Sequence, residues 1–64
     1  MMQHRVSEKE YVKTVAGTKA AALRNGHVYG EYYEPQYGQV CHKVNGIPFA
    51  WYTVPGDQKF YVNK

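Results

Sequence analysis

Residues 39–64, QVCHKV-NG-IPFAWYTV-PG-DQKFYVNK, decide the fold, because two turn dipeptides separate three runs rich in β-branched and aromatic residues. Asn45-Gly46 is the stronger signal: both central residues of a type I′ hairpin turn need positive φ, which Asn and Gly tolerate. The spacing predicts an antiparallel meander with strands at 39–44, 47–54 and 58–62. A further strand precedes it at 27–34, HVYGEYYE, where Gly30 marks a bulge or a close backbone approach. Pro35 to Gly38 form the intervening loop.

Side chains alternate between the two faces of a strand. With a two-residue turn at Asn45-Gly46, Val44 pairs with Ile47, His42 with Phe49 and Val40 with Trp51. That register predicts one apolar face, shared by Thr53, Phe60 and Val62, with Trp51 buried in it. The opposite face then carries Cys41, Lys43, Pro48, Ala50, Tyr52, Lys59 and Tyr61.

Upstream, Ser7-Glu8-Lys9-Glu10 has the capping-box pattern, so a helix should begin at Glu8. Tyr11, Val12, Val15, Ala16, Ala20 and Leu23 recur near the 3.6 period and leave Lys9, Lys13 and Lys19 toward water. Asn25-Gly26 supplies the stop, with Arg24 complementing the dipole. Gly17-Thr18 could divide the segment into two short helices. Residues 1–6 read as a flexible lead-in. The expected architecture is α+β: an N-terminal helix, either continuous or broken at Gly17, packed on a three- or four-stranded antiparallel meander, as one domain spanning 1–64.

The chain has 64 residues and buries only roughly 60% of the surface its unfolded form exposes, so its core must be efficient. One leucine and one isoleucine against eight valines and ten aromatics place most of that core on a sheet. A single cysteine, Cys41, excludes an internal disulfide and suits a reducing, cytoplasmic setting. The opening MMQHRVSEKE has no apolar run of signal-peptide or membrane-span length, and no membrane role is expected. The net charge of +3 is a mild basic bias.

Catalytic and metal chemistry are poorly supplied. Cys41 and His42 are strand neighbours that point to opposite faces and cannot share one ion, while His4 and His27 lie apart. Ser7 is committed to the helix cap and Asp57 to a turn, and Glu31 and Glu34 alternate to opposite faces. No catalytic residue, metal ligand or cofactor is expected, and the chain reads as a non-enzymatic binding module.

Tyrosines too numerous for so small a core, flanked by lysines, are the best functional clue. Tyr52, Tyr61, Lys43, Lys59, Tyr33 and Tyr37 are the candidate partner-binding residues. Seven tyrosines without a cation run favour a protein partner, with the chain acting as an inhibitor or modulator of the kind phages and mobile elements encode. The alternative is a nucleic-acid binder using the Tyr/Lys sheet face and the basic helix. A homodimer is a further option.

One local resemblance adds to this. Gln3, Arg5-Val6-Ser7, Lys9-Glu10-Tyr11, Gly17, Thr18-Lys19 and Ala21 resemble the opening of the lambda-type Cro repressors. Those are small phage proteins built as a helix-turn-helix plus antiparallel strands. The resemblance is confined to the first third of the chain, and it departs at Asn25-Gly26-His27, where that family would begin its recognition helix.

Overall fold

The computed structural model describes residues 3–54 and 56–63. In chain order the elements are β1 (Gln3–Val6), α1 (Glu8–Arg24), β2 (Tyr29–Glu34), β3 (Gln39–Val44), β4 (Ile47–Thr53) and β5 (Phe60–Asn63). The strands form one sheet in the order β1-β5-β4-β3-β2, antiparallel throughout, with α1 on one face. The α+β class is as the sequence implies, with five strands in place of three or four.

The extra strand is β1. Four residues expected to lie in a flexible lead-in instead pair with β5, Arg5 opposite Tyr61 and Val6 opposite Phe60. Only Val6 is apolar, so β1 has no hydrophobic alternation to betray it. Its polar side chains suit a sheet edge, where charge discourages further pairing.

Because β1 and β2 lie on opposite edges, α1 must cross the whole sheet. Seventeen residues rise about 26 Å along the axis, enough to cross the four inter-strand gaps, about 19 Å in sum. The helix is unbroken through Gly17. Ser7 Oγ accepts from Glu10 N at 3.2 Å at its start. Its end is a Schellman closure: His27 N donates to Ala22 O (2.8 Å) and Gly26 N to Leu23 O (3.2 Å), with Gly26 at φ 75°. No second helix follows among the described residues, so the chain lacks the helix-turn-helix of a Cro-like repressor.

The β3–β4 hairpin turns as expected, Asn45 at φ 52° and Gly46 at φ 81°. Asn45 also anchors the turn to the chain leaving the helix: its Oδ1 accepts from Val28 N at 2.9 Å, and its own N donates to Val28 O at 2.7 Å. Pro55 of the second turn lies outside the described residues.

Past the turn the register departs from expectation. Val44 pairs with Ile47 and Lys43 with Pro48, but His42 then pairs with Ala50, Cys41 with Trp51 and Val40 with Tyr52. Phe49 is the extra residue of a β-bulge. A proline has no N–H to give a ladder, and inside a sheet it is confined to edges, strand starts and bulges. The bulge follows Pro48 directly, ahead of the first β4–β5 pair at Ala50. One inserted residue exchanges the faces beyond it. Ala50 and Tyr52 therefore turn toward α1, and Trp51 turns away, the reverse of the unbroken register.

The core follows from this exchange. Tyr11, Ala50 and Val62 are buried, with Val6, Val15, Phe49, Tyr52 and Phe60 packed on them. The Tyr11 ring meets Phe60 at 5.0 Å, His42 at 5.7 Å and Tyr52 at 5.8 Å between centroids. Such pairs contribute about 0.5–1.5 kcal/mol each beyond area burial. With Tyr11 inserted, the inward line of the helix runs through Tyr11, Val15, Thr18 and Ala22, while Val12 and Leu23 are more than half exposed. Those two were expected to face the sheet.

His42 lies inside this cluster. Its Nδ1 shares a 2.6 Å hydrogen bond with Tyr29 Oη, while its Nε2 and the Tyr11 hydroxyl are buried without a partner among the described residues. Each unpaired group costs about 1–3 kcal/mol. Burial holds the His42 pKa below the usual imidazole value, with Glu31 opposing and Lys19 assisting. The folded state thus binds a proton less readily than the unfolded chain. Stability should be intact above about pH 6.5, the ordinary imidazole value, and fall as the pH drops below it toward the folded value. Thermal unfolding between pH 7.5 and 5 should show this fall in the native chain and a flatter profile in His42→Gln. Parallel profiles would remove His42 as the acid-sensitive group.

Candidate functional site

The sheet face away from α1 is left uncovered by any other element of the described fold. Cross-strand partners share a face, so the registers place Arg5, Tyr61, Trp51, Cys41 and Tyr32 in one row, one from each strand from β1 to β2. The Trp51 and Tyr61 rings are near-parallel, 19° apart with centroids 6.3 Å from each other. At the far end Tyr32 folds back over Gly30, where a Cβ would run into its ring. The close approach that a glycine in this strand suggests is thus made by a side chain. Lys43, the cross-strand partner of Gly30, places its Nζ 5.3 Å from the Tyr32 ring centroid, a cation-π distance.

Because Tyr32 lies back over Gly30, a recess of about 290 Å³ opens between β2 and Trp51. Cys41 forms its floor, and Glu34, Gln39, Lys43 and Tyr37 are among the residues that line it. Gln39 Nε2 donates to Glu34 Oε1 at 2.7 Å and so orients the carboxylate. Cys41 is 3% exposed, and burial, with Glu34 adding to it and Lys43 opposing, pushes its thiol pKa up. It is therefore a protonated, weakly reactive sulfur that serves as the recess floor.

The carboxylates, more than the cations, are divided between the two sides, since α1 also carries Lys9, Lys13, Lys19 and Arg24. Arg5 and Lys43 belong to the uncovered face, and Lys59 continues it, since Thr53 N donates to Lys59 O at 3.0 Å in the same register. Glu34 is the carboxylate on that face. Glu31 pairs with His42 on the helix side, and Glu8 and Glu10 open α1.

Of the residues singled out from sequence, Tyr61 and Lys43 lie on the uncovered face, Lys59 at its end and Tyr37 at the recess. Tyr33 pairs with Val40 on the helix side yet is 61% exposed at the sheet edge. Tyr52 was expected beside Tyr61 but packs against Tyr11, because the bulge has turned it inward. Trp51, expected in the core, takes its place. Three contributors escaped sequence reasoning: Trp51, for which Pro48 was the available signal; Arg5, whose strand has no pattern; and Tyr32, legible only through the gap at Gly30.

A second, apolar cleft of about 370 Å³ lies between the end of α1 and the β3–β4 hairpin, lined by Ala21, Ala22, Val44, Ile47 and Phe49 among others. Among the described residues no three His, Cys, Asp or Glu side chains gather as metal ligands, and no helix is long and apolar enough to cross a membrane. No family model, curated protein or solved structure matches the chain.

The two aromatic neighbours on β4 should separate cleanly on truncation. Tyr52→Ala removes a ring packed on Tyr11 and Phe60 and should cost roughly 3 kcal/mol in chemical denaturation. Trp51→Ala should cost less, and the native Trp51 emission should be quenched by acrylamide. A larger loss at Trp51 with shielded emission would restore the unbroken register.

Proposed function

We propose that this chain is a non-enzymatic binding module that holds single-stranded nucleic acid across the uncovered face of its sheet. The observation that carries the reading is the row Arg5–Tyr61–Trp51–Cys41–Tyr32 with Lys43 and Lys59 alongside. Rings on an open antiparallel sheet, flanked by cations, let bases stack while phosphates meet the charges. Each stacked base contributes about 1–3 kcal/mol, and the division of charge keeps most carboxylates on the other side.

Composition alone favours a protein partner, since seven tyrosines exceed what a small core needs. Tyr11, Tyr29 and Tyr52 belong to the helix-side cluster, which weakens that argument. The protein reading is still supported by one observation: Leu23, Val28 and Ile47, each more than half exposed, lie near the apolar cleft at the end of α1. An apolar protein segment would seat there rather than on the aromatic row.

A labelled single-stranded oligonucleotide separates the readings. Its affinity should fall with salt at a log–log slope of about −1.4, as phosphate contacts from Arg5 and Lys59 imply for a single strand. Trp51→Ala should weaken it by roughly tenfold or more while the circular dichroism is kept. Undetectable binding at low salt, or binding indifferent to Trp51 and Tyr61, would contradict the assignment and leave the cleft as the docking site.

A further inference from the structure

We propose that the recess beside Trp51 reads one base, and that the base is guanine. This rests on the nucleic-acid reading of the face and adds a specificity to it. At about 290 Å³ the recess lies at the small end of ligand sites, which suits a single ring system. Its wall is the indole of Trp51, and its floor is Cys41, whose small side chain leaves the space above it open.

The polar groups around that space determine the choice of base. A carboxylate accepts only, through two oxygens. Gln39 Nε2 holds Glu34 Oε1 at 2.7 Å, which fixes the group and leaves its remaining acceptor positions open. With one N–H of its amide given to Glu34, Gln39 presents its Oε1 as an acceptor beside its second N–H. The Glu34 carboxylate is therefore the acceptor-only group of the recess, beside the mixed donor–acceptor side chains of Gln39, Gln3 and Tyr37 and the cation of Lys43. Among the four common bases of RNA, guanine alone sets two donors side by side on its pairing edge, the N1 imino and the N2 amine. Adenine offers the N6 amine, cytosine the N4 amine and uracil the N3 imino. Guanine also carries O6 and N7, the acceptors that a lysine commonly meets. Any other base would leave part of the Glu34 carboxylate desolvated and unpaired, and sites built on hydrogen-bond matching discriminate strongly for that reason.

Trp51 is the only tryptophan, so its emission reports on the recess directly. The full chain would be titrated with guanosine, adenosine, cytidine, uridine and inosine monophosphates. Guanosine monophosphate should quench at concentrations roughly tenfold or more below the others. Inosine monophosphate, which keeps N1–H and O6 but lacks the N2 amine, should lose much of that advantage without any change to the protein. Glu34→Gln should erase the preference, and Gln39→Ala, which frees the carboxylate from its holder, should reduce it. Equal quenching by all five, no quenching at all, or a guanine preference that survives Glu34→Gln would overturn the assignment. Oligonucleotides that bind without guanine preference would overturn the pocket and leave the nucleic-acid face standing. Selective mononucleotide binding with no oligonucleotide binding at low salt would keep the pocket and remove the face.

Discussion

The β-bulge at Phe49, directly after Pro48, is the constraint on which the arrangement of both faces depends. Pro48 pairs with Lys43 ahead of the first β4–β5 pair at Ala50, and a bulge is one of the places where a strand tolerates a proline. The bulge adds one unpaired residue, Phe49, to β4. Its consequence exceeds its size, since everything beyond it on β4 exchanges faces. Ala50, fully buried, becomes the small residue beneath the helix, and Tyr52 joins Tyr11 in the core. Trp51, the largest side chain, is left on the open side. β5 follows β4, so Val62 opposes Ala50 inside while Tyr61 meets Trp51 outside.

The helix side shows how a chain this short assembles a core with almost no leucine or isoleucine. A ring near the start of α1 is inserted among rings from β3, β4 and β5, and the sheet closes over it with small residues. That packing is dense, but it buries polar atoms. Among the described residues Tyr11 Oη and His42 Nε2 lack partners, and Tyr29 satisfies only one nitrogen of the imidazole. Stability drawn from aromatic packing is thus tied to the protonation state of one histidine.

Local signals were legible wherever the chemistry was local. The Ser7 cap, the Gly26 stop, the positive φ at Asn45 and Gly46, and the limits of β3 are all fixed by residues within a few positions of one another. β1 was not legible, because a polar edge strand is held by backbone pairing to a strand more than fifty residues away. The faces of β4 were read wrongly through the assumption of strict alternation, although Pro48 marked where alternation would fail. For the candidate site, Tyr61 and Lys43 were found because β3 and β5 alternate regularly. Tyr52 was misplaced, and Trp51 missed, by the single bulge between them and the turn.

On the open side the same constraint sets one row across five strands, with rings on β2, β4 and β5, ended by Arg5 and accompanied by Lys43 and Lys59. Stacking needs free ring faces and phosphates need cations, and both occur on the side that carries few carboxylates. The recess above Cys41 exists because Tyr32 lies over Gly30 and Trp51 stands on this face. Nuclear Overhauser contacts among the aromatic side chains test the bulged register most directly. It requires contacts between the Trp51 indole and Tyr61, and between the rings of Tyr52 and Tyr11. Contacts from Trp51 to Tyr11, with Tyr52 beside Tyr61, would show an uninterrupted β3–β4 ladder and contradict the account of both faces.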